Sequence, residues 1–189
     1  MKSNMTKWTG IIVDVEAVGP IPGDYSMIEI GAVVLKRNHL LDTFRMTIAP
    51  INDNYVKENC DSIGINFGNI VRTYKISPWH AMEAFKCWVE RNTNLNTYPM
   101  FISDNNGFDF MFTHWYFIHY LKEDPFGHTS RNIADIFGGL NKDMSKAFQF
   151  KKLRNTKHSH EALGDALGNV EAMIKIIDQY GLKGFNIDG

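Results

Sequence analysis

Asp14 and Glu16 stand two residues apart in Gly10-Ile-Ile-Val-Asp-Val-Glu-Ala17, a run otherwise without a polar side chain. The run is short, rich in β-branched residues and followed by Gly19-Pro20, which reads as a buried strand. A strand's side chains alternate between faces, so residues 14 and 16 share one face and Ile11, Val13 and Val15 the other. Two carboxylates side by side on such a strand repel each other and lose hydration. Protonation or a cation relieves that cost, and hard divalent ions such as Mg²⁺ or Mn²⁺ favour oxygen ligands. The plainer alternative is an edge strand whose acids are solvated.

Two later segments place acids in unusual surroundings. Asn106-Gly-Phe-Asp109 puts a carboxylate in the first turn of a strongly aromatic helix, where favourable placement against the helix dipole is the ordinary explanation. In the last helix, Asp165 lies about 200° around the axis from Leu163 and Leu167. It shares a flank with Ala162, Asn169 and Ala172, small or polar neighbours that allow close approach to a sheet and leave room for an ion. His160 stands five residues earlier, at or before the helix start. Taken alone, Asp109 and His160 are better explained by helix-dipole placement and an ordinary helix-end surface position, and Asp165 is compatible with a solvated acid.

The elements that must position these groups follow from periodicity. Gly10–Ala17, Met27–Leu35 and Leu40–Ile48 read as consecutive strands, the last two joined by the polar turn Lys36-Arg-Asn-His39. Residues 50–77 show no clear period and read as loops with one short helix. Ser77-Pro78 starts a helix carrying Trp79, Met82, Phe85, Trp88 and Val89 at helical spacing. Pro99–Ser103 reads as a fourth strand, with a helix from Asp104-Asn-Asn-Gly107 to about Leu121. Arg131–Phe137 suits a strand or a helix. The final helix shows an apolar stripe of Leu163, Leu167, Val170, Ile174 and Ile177, ending near Gly181. Strands first, then alternating helices and strands, imply an α/β fold with a mixed sheet in one domain, residues 1–189.

Composition narrows the class. Hydrophobic residues are 44% and charged residues 22% of the 189, as in a globular protein, and the net charge of −1 calls for no polyanionic partner globally. The N-terminus has no apolar core of a secretory signal, and no stretch reaches the ~20 apolar residues of a membrane span. Cys60 and Cys87 lack zinc-type spacing and read as reduced thiols of a cytoplasmic protein. Lys142, Lys146, Lys151, Lys152, Arg154 and Lys157 form a locally basic stretch, either a solvated loop or a track for phosphates.

Taken together, Asp14-Val-Glu16, Asn106-Gly-Phe-Asp109 and His160-Glu-Ala-Leu-Gly-Asp165 resemble, in order, the three motifs of the DEDDh 3′–5′ exonucleases. That family includes the polymerase proofreading subunit, ribonuclease T and oligoribonuclease. Ile28-Glu-Ile-Gly-Ala-Val33 is similar to its second strand, and Ala17 stands where many members carry Thr. The resemblance implies a ribonuclease H-like fold, a mixed five-stranded sheet flanked by helices. It further implies two divalent cations, Mg²⁺ or Mn²⁺, held by Asp14, Glu16, Asp109 and Asp165, with Asp14 bridging both. His160 would be the general base on the attacking water, with His158 a nearby competitor. The backbone at Ala17 and Val18 would meet the 3′ nucleotide, Val18 wedging against the last base, and Asn106 would touch the scissile region or cap its helix. The expected reaction is hydrolysis of single-stranded DNA or RNA from the 3′ end, releasing nucleoside 5′-monophosphates. Many members are homodimers, although no residue pattern here reports an oligomeric state. Against this stand a non-catalytic binding or polymerase-accessory module on the same fold, and a metallohydrolase of small phosphoesters.

Overall fold

β1 (Trp8–Ala17) is the central strand of a five-stranded sheet of order β3-β2-β1-β4-β5. The computed structural model describes residues 8–37 and 43–187. β2 (Met27–Val34) and β3 (Thr43–Thr47) extend the sheet antiparallel on one side of β1. β4 (Tyr98–Ser103) and β5 (Ser130–Asn132) extend it parallel on the other. The start expected for the third strand at Leu40, the end of the expected 36–39 turn and the N-terminal seven residues lie outside the described residues.

Six helices complete the chain among the described residues: α1 (Lys57–Ser62), α2 (Phe67–Thr73), α3 (Pro78–Asn92), α4 (Asn106–Leu121), α5 (Ile133–Leu140) and α6 (Ala162–Tyr180). A 3₁₀ helix, Met144–Leu153, joins α5 to the approach of α6. Parallel pairing of β1 with β4 requires a crossover, and α3 supplies it. Its start is set by Ser77, whose hydroxyl accepts a hydrogen bond from the His80 N–H, and by Pro78 at the first helical position.

Strand alternation sorts the core into two layers. Ile11, Val13, Val15 and Ala17 pack with Met27 and Ile30 against α3 and α4. Ile12 and Val33, on the opposite face, pack against α5, the 3₁₀ helix and α6. Asp14 and Glu16 therefore lie on the α6 side, in line with Ile12 and opposite Gly31 and Glu29 of β2.

Three local expectations need correction. Residues 50–77 hold two short helices rather than one; α2 is capped by Asn66, and Cys60 and Ile70 cover Val18 and Ile28. Trp79 is exposed, so the α3 core face is Met82, Phe85, Trp88 and Val89. In α6 the fully buried face is Ala162, Ala166, Asn169, Val170, Met173 and Ile176, while Leu163, Leu167 and Ile174 are only partly buried. Small side chains let the α6 backbone press onto the sheet, which rotates the larger leucines to its flank.

Candidate active site

Five carboxylates converge at the C-terminal end of β1. The strand carries a register irregularity between Glu16 and Ala17, a device common beside active sites. Across the sheet, Gly31 pairs with Asp14. A Cβ at Gly31 would lie 2.3 Å from the Ala162 carbonyl carbon and 2.2 Å from the Leu163 nitrogen, so the start of α6 tolerates only glycine beneath it. That approach brings Asp165, 1% exposed in the first turn of α6, over β1. Oxygens of Asp14, Glu16 and Asp165 lie within 4.8 Å of one another. A second group, Asp14, Asp104 and Asp109, meets the same limit, and Asp14 belongs to both.

Asp109 is placed by backbone geometry. Parallel pairing of β1 with β4 ends at Ile12 and Ile102, and further along β1 the Val15 N–H donates to Asp109 Oδ1 at 3.3 Å. Asp109 is 2% exposed and its Oδ2 has no hydrogen-bond partner. A surface acid facing a helix dipole would not be buried in this way.

The electrostatics of the cluster are those of crowded anions. Burial, followed by the charges of Asp109 and Glu16, holds Asp14 well above the ordinary carboxylate range. Burial, then Asp104, raises Asp109 well above its ordinary value. Glu16 is pushed up to about 7 by burial, then by Asp165 and Glu29. All-oxygen donor sets, ligand atoms within 4.8 Å and the orphaned Asp109 oxygen fit hard divalent cations.

The third segment wraps Asp165. The Ser159 N–H donates to Asp165 Oδ1 at 3.1 Å and the His160 N–H to Oδ2 at 3.0 Å. The imidazole touching Asp165 belongs to His158, whose Nδ1 lies 2.6 Å from Oδ1. The exposed His160 side chain places its ring 4.3 Å from that of His158. Its backbone has φ +55°, a left-handed conformation that a non-glycine residue adopts at some cost.

The residues expected to meet substrate are differently placed. Ala17 sits at the β1 irregularity, buried against the α4 layer. Val18 is fully buried with Ile28, Cys60 and Ile70, and its N–H donates to the Ser26 carbonyl; the side chain expected as a wedge lies in the core. Asn106 Nδ2 donates to Ser130 Oγ at 2.8 Å, which ties the start of α4 to β5.

Two charged residues at the cluster were not legible in sequence as part of it. Asp104 directly follows β4 and joins Asp14 and Asp109. Arg154, read as part of a basic track, is instead 5% exposed, with its Nη2 3.1 Å from Asp104 Oδ2. Its guanidinium also donates to Asn169 Oδ1, and its stem lies over Gly168. Burial would raise Asp104, but hydrogen bonding from Asn169 and the charges of Arg154 and Lys151 outweigh it and hold Asp104 below its usual value. The only sequence signal was the basic run itself.

The β3-β2-β1-β4-β5 sheet, with carboxylates gathered at the end of its central strand, has the ribonuclease H-like fold. Over 178 residues the chain is 29% identical to the 3′-5′ DNA exonuclease Cap18 of Escherichia coli, covering 92% of this chain and 93% of that one. The nuclease domain of 3′hExo, a DEDDh family member solved with rAMP, superposes with a TM-score of 0.73 at 18% identity, over 97% of this chain and 98% of that one. E. coli exonuclease I in complex with single-stranded DNA gives 0.70 at 17% identity. The match covers 92% of this chain but only 41% of exonuclease I. No protein-family model matches. Ordered motifs, fold and similarity over nearly the whole of both chains support a 3′–5′ exonuclease that resembles the DEDDh enzymes. None of its described helices is long and apolar enough to cross a membrane.

Proposed function

We propose that the enzyme hydrolyses single-stranded DNA from its 3′ end, releasing nucleoside 5′-monophosphates, with Asp14, Glu16, Asp109 and Asp165 holding two Mg²⁺ or Mn²⁺ ions. The observation that carries this reading is the pair of carboxylate groups sharing Asp14, one of them containing a buried oxygen without a partner. Similarity to a DNA exonuclease over nearly the whole of both chains favours DNA over RNA.

Divalent cations in such a site stabilise charge on the attacking and leaving oxygens of an in-line displacement. The chain's own groups supply the rest. Asp14, common to both groups, fixes their separation, and Gly31 fixes the height of Asp165 above it. An imidazole nitrogen of His160 takes the proton of the attacking water. His158 Nδ1, 2.6 Å from Asp165 Oδ1, would have to give up that carboxylate for Asp165 to hold a cation. The backbone at Ala17 and the Asn106 amide border the 3′ nucleotide. The enzyme works as one domain, inside the cell, and pairs as a homodimer where its relatives do.

The test is digestion of matched 5′-labelled single-stranded DNA and RNA with Mg²⁺ or Mn²⁺. A ladder shortening from the 3′ end of DNA, faster than RNA and abolished by EDTA, is expected. Faster loss of RNA would overturn the choice of DNA, and no shortening by folded protein would overturn the reaction.

A further inference from the structure

The 3₁₀ helix Met144–Leu153 is ten residues long, well beyond the three or four usual for this geometry. With three residues per turn, side chains at i and i+3 lie above one another. Ala147 and Phe150 form a buried row that packs into the α6 layer. Ser145, Phe148 and Lys151 form a second row, and Arg154, capping the helix, continues it into the carboxylate cluster.

Packing does not account for two members of that second row. Phe148 is 70% exposed, although the neighbouring core has room for Phe150 from the same helix. Lys151 places its ammonium 3.2 Å from Asp104 Oδ2 while its side chain remains 47% exposed. Asp104 keeps two further partners besides it, Arg154 Nη2 at 3.1 Å and Asn169 Nδ2 at 3.0 Å, one on each of its oxygens. Lys151 is thus a cation beside the cluster with its head free to turn outward. An anionic strand approaching crowded carboxylates is repelled, and an accessible cation at their margin offsets that repulsion. An exposed ring one turn away, about 6 Å along the same row, offers a face on which a base stacks regardless of its identity.

We propose that Lys151 and Phe148 form a subsite for the substrate strand upstream of the scissile bond: Lys151 leaves Asp104 to bind a phosphate, and Phe148 stacks the adjoining base. The proposal rests on the reading of the enzyme as a single-strand exonuclease. It assigns the strand's path to the 3₁₀ helix side of the cluster. Of the basic stretch, Arg154 is excluded as a phosphate contact because it is buried against Asp104.

The experiment measures kcat/KM of wild type, Phe148→Ala, Lys151→Gln and Lys151→Arg on one 5′-labelled oligodeoxynucleotide. An abasic site is walked through the three positions upstream of the scissile bond, and KM is measured across a salt series. Wild type should lose on the order of tenfold when one of these bases is missing. Phe148→Ala should show a similar loss on the intact strand and no further loss on that abasic strand. Lys151→Gln should lower the salt slope by about one, with Lys151→Arg restoring it. Unchanged thermal melting of the variants separates these losses from misfolding. If wild type fails to shorten the intact strand, the exonuclease reading itself is lost. If wild type shortens it but the Phe148→Ala and abasic losses multiply, or the salt slope is unmoved in Lys151→Gln, the subsite is overturned while the reaction stands.

Discussion

Gly31 of β2 lies directly beneath Ala162 of α6, close enough that a single added carbon would sit 2.3 Å from the Ala162 carbonyl carbon. Nothing in that contact can yield, because both sides are backbone. The absent side chain sets the height of α6 above the sheet, and so the distance from Asp165 to Asp14 and Glu16. Gly31→Ala is expected to destabilise the protein by about 1–3 kcal/mol, by overpacking a site without room. It should also lower kcat by more than tenfold in whatever protein remains folded. Urea denaturation and steady-state kinetics on the same preparation check both.

Charge crowding at the cluster predicts opposite effects on stability and activity. Asp14 is buried among Glu16, Asp109 and Asp104, all of which raise it. Asp14→Asn keeps the shape and removes one anion. It should raise the melting temperature of the metal-free protein by several degrees above neutral pH while lowering kcat at least a hundredfold. Differential scanning calorimetry in EDTA and the digestion assay test the two halves.

Glu16 sets a pH dependence whose sign follows from its raised value. Its pKa rises from 4.5 to about 7 in the fold. A raised carboxyl favours the fold fully below its unfolded value, and that contribution disappears as pH climbs through 7. Asp14 and Asp109 act in the same direction. Asp104, held below its ordinary 3.8, loses its contribution only at more acid pH. The metal-free melting temperature should therefore fall between about pH 5 and pH 8, and the rise produced by Mn²⁺ should grow over the same interval. A metal-induced rise that shrinks with increasing pH would contradict this.

The two histidines are separable. His160→Ala should reduce kcat by about a hundredfold or more, as expected for loss of a general base, with Mn²⁺ affinity little altered. His158→Ala frees Asp165 Oδ1 and should tighten Mn²⁺ binding with a smaller change in kcat. Calorimetric titration beside kinetics distinguishes them, and a larger kcat loss for His158→Ala would exchange the roles.

What could be read from the chain, and what could not, divides by range. The strand period put Asp14 and Glu16 on one face, and the helical period put Asp165 beside Ala162, Asn169 and Ala172; all three of those neighbours are fully buried. Both are local geometries, fixed by residues within two turns or a few strand positions. The Asp104–Arg154 pair spans 50 residues and exists only because the 3₁₀ helix folds back across the end of β4. Arg154 therefore looked like one more cation in a basic run. Val18 misled for a similar reason: α1 and α2, which have no clear period, cover it from the far side. The 3₁₀ helix itself was hidden, since its period of three matches neither template used to read helices and strands.

The sharing of Asp14 between two carboxylate groups is the centre of this account, and counting bound Mn²⁺ ions tests it most directly. Calorimetric titration of wild type should give two ions per chain, and Asp14→Asn should lose both, because each group contains that residue. Wild type binding no Mn²⁺, or Asp14→Asn still binding two, would contradict the account.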